Sequence, residues 1–169
     1  IMSGKVETGE MAVGIEAQYI RATIMTEFNE YQKGVIDGDT FWCSINNHAD
    51  KVRLAMVDAA EYHPKWDPIR KTWVPNEDLG PYADHLGIEH QVELGGLEAW
   101  YKFLRLLPAP GNDVWLVVNP YNERDHDRII ARVYDCAAFP DEDAVKAAHW
   151  RQSINWVLYT ALMADPGYG

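Results

Sequence analysis

Two pairs of acidic residues in this chain lie where they could hold a cation. Asp37 and Asp39 flank Gly38 inside the run GVIDGDTFWC, and Asp58 and Glu61 close the run VRLAMVDAAE. Because the residues around Asp37 and Asp39 favour strands while Asp and Gly do not, this pair is predicted at a kink between two strands. Oxygen ligands at neighbouring strand ends suit Ca²⁺ or Mg²⁺ better than zinc.

The spacing suggests a role for each residue near such a cation. Asp39 and Asp58 would be carboxylate ligands, the backbone carbonyl of Ala59 would be a third oxygen, and Glu61 would hold a water close by. Asp37 is better interpreted as supporting the turn. The alternative for these acids is ordinary: a turn former at the kink and solvated carboxylates at a strand end.

Two arginines could complete this group of acids. Arg53 is the second residue of the strand predicted over 52–57, and Arg128 is the first residue of the strand predicted over 128–136. A guanidinium matches the shape and charge of a phosphate because it can donate two hydrogen bonds at once, which lysine cannot. Their alternative is a role as surface partners of nearby acids. Sequence alone leaves both interpretations open.

The charge balance restricts the partners. The chain has 15 basic and 26 acidic residues and a net charge of −11, whereas proteins that bind nucleic acid usually have a basic surface. Positive charge is nevertheless retained late in the chain, where Arg124, Arg128 and Arg132 cluster. A few arginines and a metal ion could therefore still hold a phosphate locally.

Neither a membrane-spanning segment nor a signal peptide is evident in the sequence, so secreted and cytoplasmic locations both stay open. Cys43 and Cys136 are predicted to be two buried thiols rather than a disulfide. The scattered histidines and the lack of closely spaced cysteines argue against a zinc site.

Alternating and β-branched residues predict strands, and residues with helical spacing predict helices. The strands are expected over 18–28, 31–45 (interrupted by the kink), 52–57, 113–119 and 128–136, and the helices over 95–107 and 140–164. The segment 62–93 contains four prolines and no sustained period, which predicts a long loop with at most one helical turn. This order predicts a β-rich α+β fold: a five-stranded Greek-key barrel of the OB-fold type with two or three helices.

The length predicts one domain. Residues 1–30 would be an N-terminal extension with a possible extra strand, and 31–134 the barrel with an insertion at about 62–94. Residues 135–169 would form a C-terminal helix packed on the same domain.

The segments VIDGDTF and VRLAMVDAAE, followed by EYHPK, GGLEAWYKFL and DRIIARVY, resemble staphylococcal nuclease (thermonuclease)-like proteins. The resemblance covers about residues 31–134 apart from the insertion. It implies a Ca²⁺-dependent nuclease, acting on DNA and/or RNA and leaving 3′-phosphate ends on an OB-type barrel. The calcium ligands it implies are Asp39, Asp58 and the carbonyl of Ala59, and the catalytic residues it implies are Arg53, Glu61 and Arg128.

The chain departs from this family at several positions. Ala59-Ala60 replaces Thr-Pro, Asp127 replaces the glycine before Arg128, and Asp125-His126 stands where a Lys-Tyr pair associated with the terminal phosphate is common. His126 is therefore a candidate substrate contact. Within the insertion, three aromatic residues could stack on bases or pin the insertion to the core: Trp66, Trp73 and Tyr82.

A catalytically silent OB-fold module that binds nucleic acid or a protein partner is the competing hypothesis. Such a module is expected to lose some of the acids or arginines. All of these positions are filled here, which favours an enzyme.

Overall fold

The structure is a computed structural model that describes residues 16–25, 34–83, 87, 89–120, 124–125 and 127–164. Its strands are β1 (Gln18–Ile24), β2 (Val35–Asp37), β3 (Thr40–Ile45), β4 (His48–Leu54), β5 (Lys65–Asp67), β6 (Thr72–Val74), β7 (Gly80–Ala83), β8 (Glu89–Val92), β9 (Asp113–Val118), β10 (Arg124–Asp125) and β11 (Arg128–Asp135). The helices are α1 (Gly96–Leu106), α2 (Glu142–Ala147) and α3 (Ile154–Met163), with a 3₁₀ turn at Trp150–Gln152 before α3.

Five of these strands close into a mixed barrel. β1 pairs antiparallel with β9, β9 with β11, and β3 with β4, whereas β11 and β4 run parallel. The barrel closes where β1 returns to β3, with Thr23 opposite Ser44 and Ile24 opposite Cys43. This confirms the predicted β-rich, OB-fold-like barrel and makes β1 one of its strands.

The barrel interior is filled by alternate side chains of the strands and by one face of α1. Val52 and Leu54 on β4 are fully buried, as an inward-facing alternation requires. Phe103 of α1 packs edge-to-face against Phe41, with ring centroids 5.8 Å apart. The indole Nε1 of Trp100 donates to the backbone carbonyl of Val35 at 3.2 Å, which joins α1 to the strand before the predicted kink.

A second hydrophobic layer covers the outer face of the barrel. Trp115 and Val117 on β9 and Tyr134 on β11 point outward but are buried, with Val145 of α2 among their neighbours. β9 is therefore apolar on both faces. This explains its uninterrupted run DVWLVV, which does not alternate.

Asn155 attaches α3 to the barrel through its side-chain amide. Its Oδ1 accepts from the backbone N–H of Val133 at 2.8 Å, and its Nδ2 donates to the carbonyls of Ala55 and Ala131 at 2.9 and 3.0 Å. The side chain is buried, so it satisfies three backbone groups that water does not reach.

Three expectations about the elements need correction. The segment 62–93 is not a long loop, because it forms the antiparallel hairpins β5–β6 and β7–β8. The strand predicted over 52–57 is instead β4, which ends at Leu54 because Met56 adopts a left-handed backbone with φ of 64°. The C-terminal helix is also divided, since Ala148 and His149 are extended and Ser153 caps α3 anew.

Cys43 and Cys136 are both buried free thiols, as predicted. Burial raises the pKa of Cys43 to about 12, so this side chain behaves as a small apolar residue and not as a nucleophile. Over the part of the chain that is described, every helix is too short or too polar to cross a membrane.

Candidate active site

The Asp37-Gly38-Asp39 turn joins β2 to β3 in a narrow space between two other elements. A Cβ atom on Gly38 would lie 2.6 Å from the Cβ of Ala59 and 2.7 Å from the Cβ of Ala99 in α1. Because such distances are shorter than any real contact, only glycine fits where the turn passes. The interrupted strand thus reflects close packing that brings Asp39 against the segment after β4.

The carboxylate of Asp39 is buried, with 3% of the residue exposed, and it is held from several sides. Its Oδ1 accepts from the hydroxyl of Thr40 at 2.9 Å, and its Oδ2 accepts from the backbone N–H of Ala59 at 3.0 Å. A buried carboxylate requires such partners, because desolvation otherwise opposes its charge. These bonds fix the orientation of Asp39 relative to Ala59, 20 positions later in the chain.

Arg53 connects the two acids that sequence analysis predicted as ligands. Its Nη2 lies 3.7 Å from Oδ2 of Asp39 and 3.4 Å from Oδ1 of Asp58. One nitrogen therefore contacts both carboxylates, so both acids lie around the same point. The side chain of Asp58 is 91% exposed, whereas that of Asp39 is 5% exposed, so the group opens to solvent on the Asp58 side.

Arg128 reaches the same group from β11. Its Nη1 lies 3.5 Å from the hydroxyl of Thr40, which itself donates to Asp39. The parallel pairing of β11 with β4, in which Ile130 lies opposite Arg53, explains how residues so distant in sequence meet. Arg53 thus contacts Asp39 directly, and Arg128 is connected to Asp39 through the hydroxyl of Thr40.

Glu61 is positioned by the far end of the insertion. Its backbone N–H donates to Oε1 of Glu93 at 2.9 Å, and the backbone N–H of Glu93 donates to the carbonyl of Glu61 at 2.8 Å. Partial burial raises the pKa of Glu61, as do the negative charges of Asp39, Glu93 and Asp58, while Arg128 lowers it. Glu61 is therefore within electrostatic range of Asp39, Asp58, Glu93 and Arg128.

Asp37 plays a different part from Asp39. Its Oδ1 accepts from the backbone N–H of Asp39 at 3.1 Å, which supports the turn. Burial raises its pKa well above the usual value, and the adjacent charge of Asp39 raises it further. Asp37 therefore supports the turn from a buried position, as its interpretation from the sequence expected.

The available oxygen donors determine which cation could bind. Among the described residues, no three His, Cys, Asp or Glu side chains are placed together to hold a metal ion. Asp39 and Asp58 supply two carboxylates, which leaves further positions to carbonyl, water and phosphate oxygens. Ca²⁺ accepts such a set because it takes six to eight oxygen ligands in a flexible geometry. By themselves, Asp39 and Asp58 do not form a closed protein cage for a cation.

The predicted substrate-stacking residues pack within the insertion. Trp66 and Trp73 lie opposite each other in the β5–β6 hairpin, and their rings meet edge to face with centroids 5.3 Å apart. The ring centroids of Trp73 and Tyr82 each lie 5.5 Å from that of His63. Tyr82 also packs against the main core. His126 lies outside the described residues.

Sequence analysis missed Thr40, Glu93 and Gly96. Thr40 had a local signal, since it directly follows Asp39 in the turn. Gly96 begins α1 so close to the site that a Cβ atom added there would lie 2.4 Å from the carbonyl oxygen of Glu61. Glu93 had no signal in the sequence, because its contact with Glu61 depends on how the two hairpins fold back.

Comparison of the chain with models of protein families and with curated proteins finds no match. The fold and the site therefore define an OB-fold-like barrel protein in which acids and arginines meet at a site that is open to solvent on the Asp58 side.

Proposed function

We propose that this protein is a Ca²⁺-dependent nuclease that hydrolyses phosphodiester bonds of DNA, RNA or both and leaves 3′-phosphate ends. The observation that carries the proposal is the position of Arg53, one nitrogen of which contacts both Asp39 and Asp58. Around it, Arg128 and Glu61 complete a set of groups that suits a phosphate and a hard cation. The resemblance of VIDGDTF and VRLAMVDAAE to thermonuclease-like proteins supports the same function.

Asp39, Asp58 and the carbonyl of Ala59 are the residues that would hold the cation. When bound, a divalent ion at this position would neutralise charge on a phosphate oxygen and so permit attack by water. Asp39 is already oriented by Thr40 and by the N–H of Ala59, so its geometry does not depend on the ion. Asp58 is exposed and can adjust to the substrate.

Arg53 and Arg128 would bind the scissile phosphate and stabilise the added charge of its transition state. The contacts of Arg53 with the two acids are longer than the roughly 2.7–2.9 Å of a strong charge-assisted hydrogen bond. The acids therefore hold its guanidinium loosely, and it can turn towards a phosphate. Loss of one such donor in other enzymes costs about 2.7–4 kcal/mol, or roughly a hundredfold to a thousandfold in rate.

Glu61 would orient the attacking water and accept its proton. A general base must lie within hydrogen-bonding reach of its water, and Glu61 satisfies this only if its backbone is held in place. The two hydrogen bonds with Glu93 provide that restraint. The electrostatic effects of Asp39, Asp58 and Arg128 on Glu61 support a position close to the phosphate.

The direct test is cleavage of heat-denatured DNA by the purified chain with added CaCl₂. We expect cleavage that stops with a chelator, and a loss of at least a hundredfold in Glu61→Gln. Glu142→Gln, an exposed substitution on α2, is the matched control and should retain activity. Products should resist extension by a polymerase until a phosphatase removes the 3′-phosphate. Intact DNA after incubation with the wild-type chain and Ca²⁺ would rule out the nuclease.

The competing function is a silent OB-fold module that binds nucleic acid or a protein partner. The observation in its favour is the net charge of −11, which disfavours tight binding of a polyanion and so favours the protein partner. It predicts that the DNA stays intact in the incubation with CaCl₂, whereas the nuclease predicts cleavage, so the same experiment distinguishes the two.

A further inference from the structure

A groove separate from the candidate active site lies along the outer face of β11, beside α3. One cavity of about 550 Å³ and a second of about 480 Å³ share the residues Ala55, Met56 and Arg132. We call the two together the β11 groove. Trp150, Trp156 and Tyr159 line the first cavity, so the groove has one aromatic wall.

The aromatic wall presents partly open rings. The rings of Trp150 and Trp156 meet edge to face with centroids 4.6 Å apart, and Trp156 stacks with Tyr159 at 5.5 Å. Trp150 is 37% exposed and Tyr159 is 40% exposed. Partly exposed rings of this kind can stack on a nucleic-acid base whatever its sequence.

The charge at the groove is positive in a chain that is strongly acidic overall. Arg132 belongs to the wall common to both cavities, and its buried Nε donates to no acceptor among the described residues. The guanidinium of Arg151 lies over the rings of Trp150 and Trp156, 5.5 and 5.7 Å from their centroids. None of the described residues that line the two cavities is acidic. Arginines beside exposed aromatic side chains favour a ligand that is an anion and contains aromatic rings.

The groove lies on the same face of β11 as Arg128 of the candidate active site. Side chains alternate along a strand, so Arg128, Ile130 and Arg132 share its outer face. At about 3.3 Å per residue, roughly 13 Å separates the Cα atoms of Arg128 and Arg132. A single strand of a few nucleotides covers this distance.

We propose that the β11 groove is a subsite for single-stranded nucleic acid, occupied by a nucleotide near the one whose phosphate is cleaved. The base stacks on the wall of Trp150, Trp156 and Tyr159, and a phosphate binds Arg132. This inference deepens the proposed function and rests on it. It also gives a role to Arg132, which sequence analysis identified only as part of a late cluster of arginines.

The test compares a twelve-nucleotide strand with a dinucleotide, which is too short to reach from Arg128 to the groove. Arg132→Gln and Trp150→Ala should each lower the ratio of kcat/KM for the long substrate to that for the short one by about tenfold. Arg105→Gln removes an exposed arginine on α1 and is the matched control for net charge. Thermal melting checks that each variant is folded. If replacement of the partly buried Arg132 impairs folding, Trp150→Ala alone tests the subsite.

Binding provides a readout that does not depend on cleavage. Binding is measured with the Glu61→Gln protein and a fluorescent twelve-nucleotide strand. Adding Arg132→Gln to this protein should weaken binding about tenfold and lower the magnitude of the slope of log K against log salt concentration by about 1. Equal weakening by Arg105→Gln, or an unchanged substrate ratio in both groove variants, would overturn the subsite. If the wild-type chain cleaves neither substrate but Arg132→Gln still loses binding selectively, the nuclease fails and the groove remains a binding site for single-stranded nucleic acid.

Discussion

Glu61 and Glu93 are joined by two hydrogen bonds that run in opposite directions between them. The side chain of Glu93 accepts from the backbone of Glu61, and the backbone of Glu93 donates to the carbonyl of Glu61. Glu93 follows β8 directly, so the insertion ends at the residue that restrains the proposed base. The two hairpins thus have a structural connection to the site.

Replacement of Glu93 tests this connection. Glu93→Ala removes the acceptor for the N–H of Glu61, so we expect kcat to fall about tenfold with little change in KM. Glu93→Gln keeps an amide oxygen in the same place and should restore most of the rate. The measurement is steady-state cleavage of denatured DNA. Equal loss in both variants would show that the charge of Glu93 matters instead of its hydrogen bond.

The two proposed calcium ligands should differ in their effect on stability. Asp39→Asn disturbs a buried group with three partners and should lower the free energy of unfolding by about 1–3 kcal/mol. Asp58→Asn alters an exposed side chain and should change it by less than about 0.5 kcal/mol. Urea unfolding measures both.

Calcium should raise the unfolding midpoint of the wild-type chain, because a ligand that binds only the folded state stabilises it. We expect this rise to be lost in Asp39→Asn and in Asp58→Asn alike. A calcium effect that survives in both variants would contradict their assignment as ligands.

Asn155→Ala should be among the most destabilising substitutions in α3. It leaves the backbone groups of Val133, Ala55 and Ala131 without their side-chain partner in a buried position. We expect a loss on the order of 3 kcal/mol in the free energy of unfolding. Val157→Ala, at a position that is 42% exposed on the same helix, is the control and should cost little. Comparable losses in the two variants would contradict the role of the Asn155 amide.

Asp113 should contribute a pH-dependent stabilisation. Hydrogen bonds from Thr23 and from Arg21, both at 2.7 Å, lower the pKa of its carboxyl group. Because the folded-state pKa is depressed, the stabilisation is present above the unfolded value of about 3.9 and is lost as the pH falls through the lower folded value.

Asp113→Asn should therefore reduce stability at pH 7 by up to about 1 kcal/mol, since the ion pair with Arg21 is solvent-exposed. The difference from the wild-type chain should shrink at pH 3. Urea unfolding at the two pH values measures it, with the exposed substitution Glu16→Gln as the control. A difference that stays constant with pH would exclude the charge of Asp113 as its cause.

The barrel and the centre of the site were predictable because their signals are local. Runs of β-branched and apolar residues, some of them alternating, indicated the barrel strands, and a glycine between two aspartates in a strand-like run indicated a special turn. Arg53, Asp58 and Glu61 lie on one short segment, so positioning that segment against Asp39 positions all three.

The errors arose where tertiary contacts decide the backbone. The hairpins of the insertion have strands of only three or four residues, too short for any periodicity to appear. The break between α2 and α3 occurs at Ala148 and His149, which have no helix-breaking chemistry. The β11 groove needs residues of β11, the turn after β4 and α3 together, so no stretch of sequence reveals it.

The anchor provided by Asn155 has a consequence for biogenesis. The parallel pairing of Val52 with Ile129 and the amide that secures it both require residues that are synthesised long after β4. An emerging polypeptide can form the hairpin of β3 and β4, but the free edge of β4 stays unpaired until β11 leaves the ribosome, and the Asn155 anchor forms only after α3 follows. Chaperones that shield unpaired edges would therefore matter most between the synthesis of β4 and the synthesis of β11.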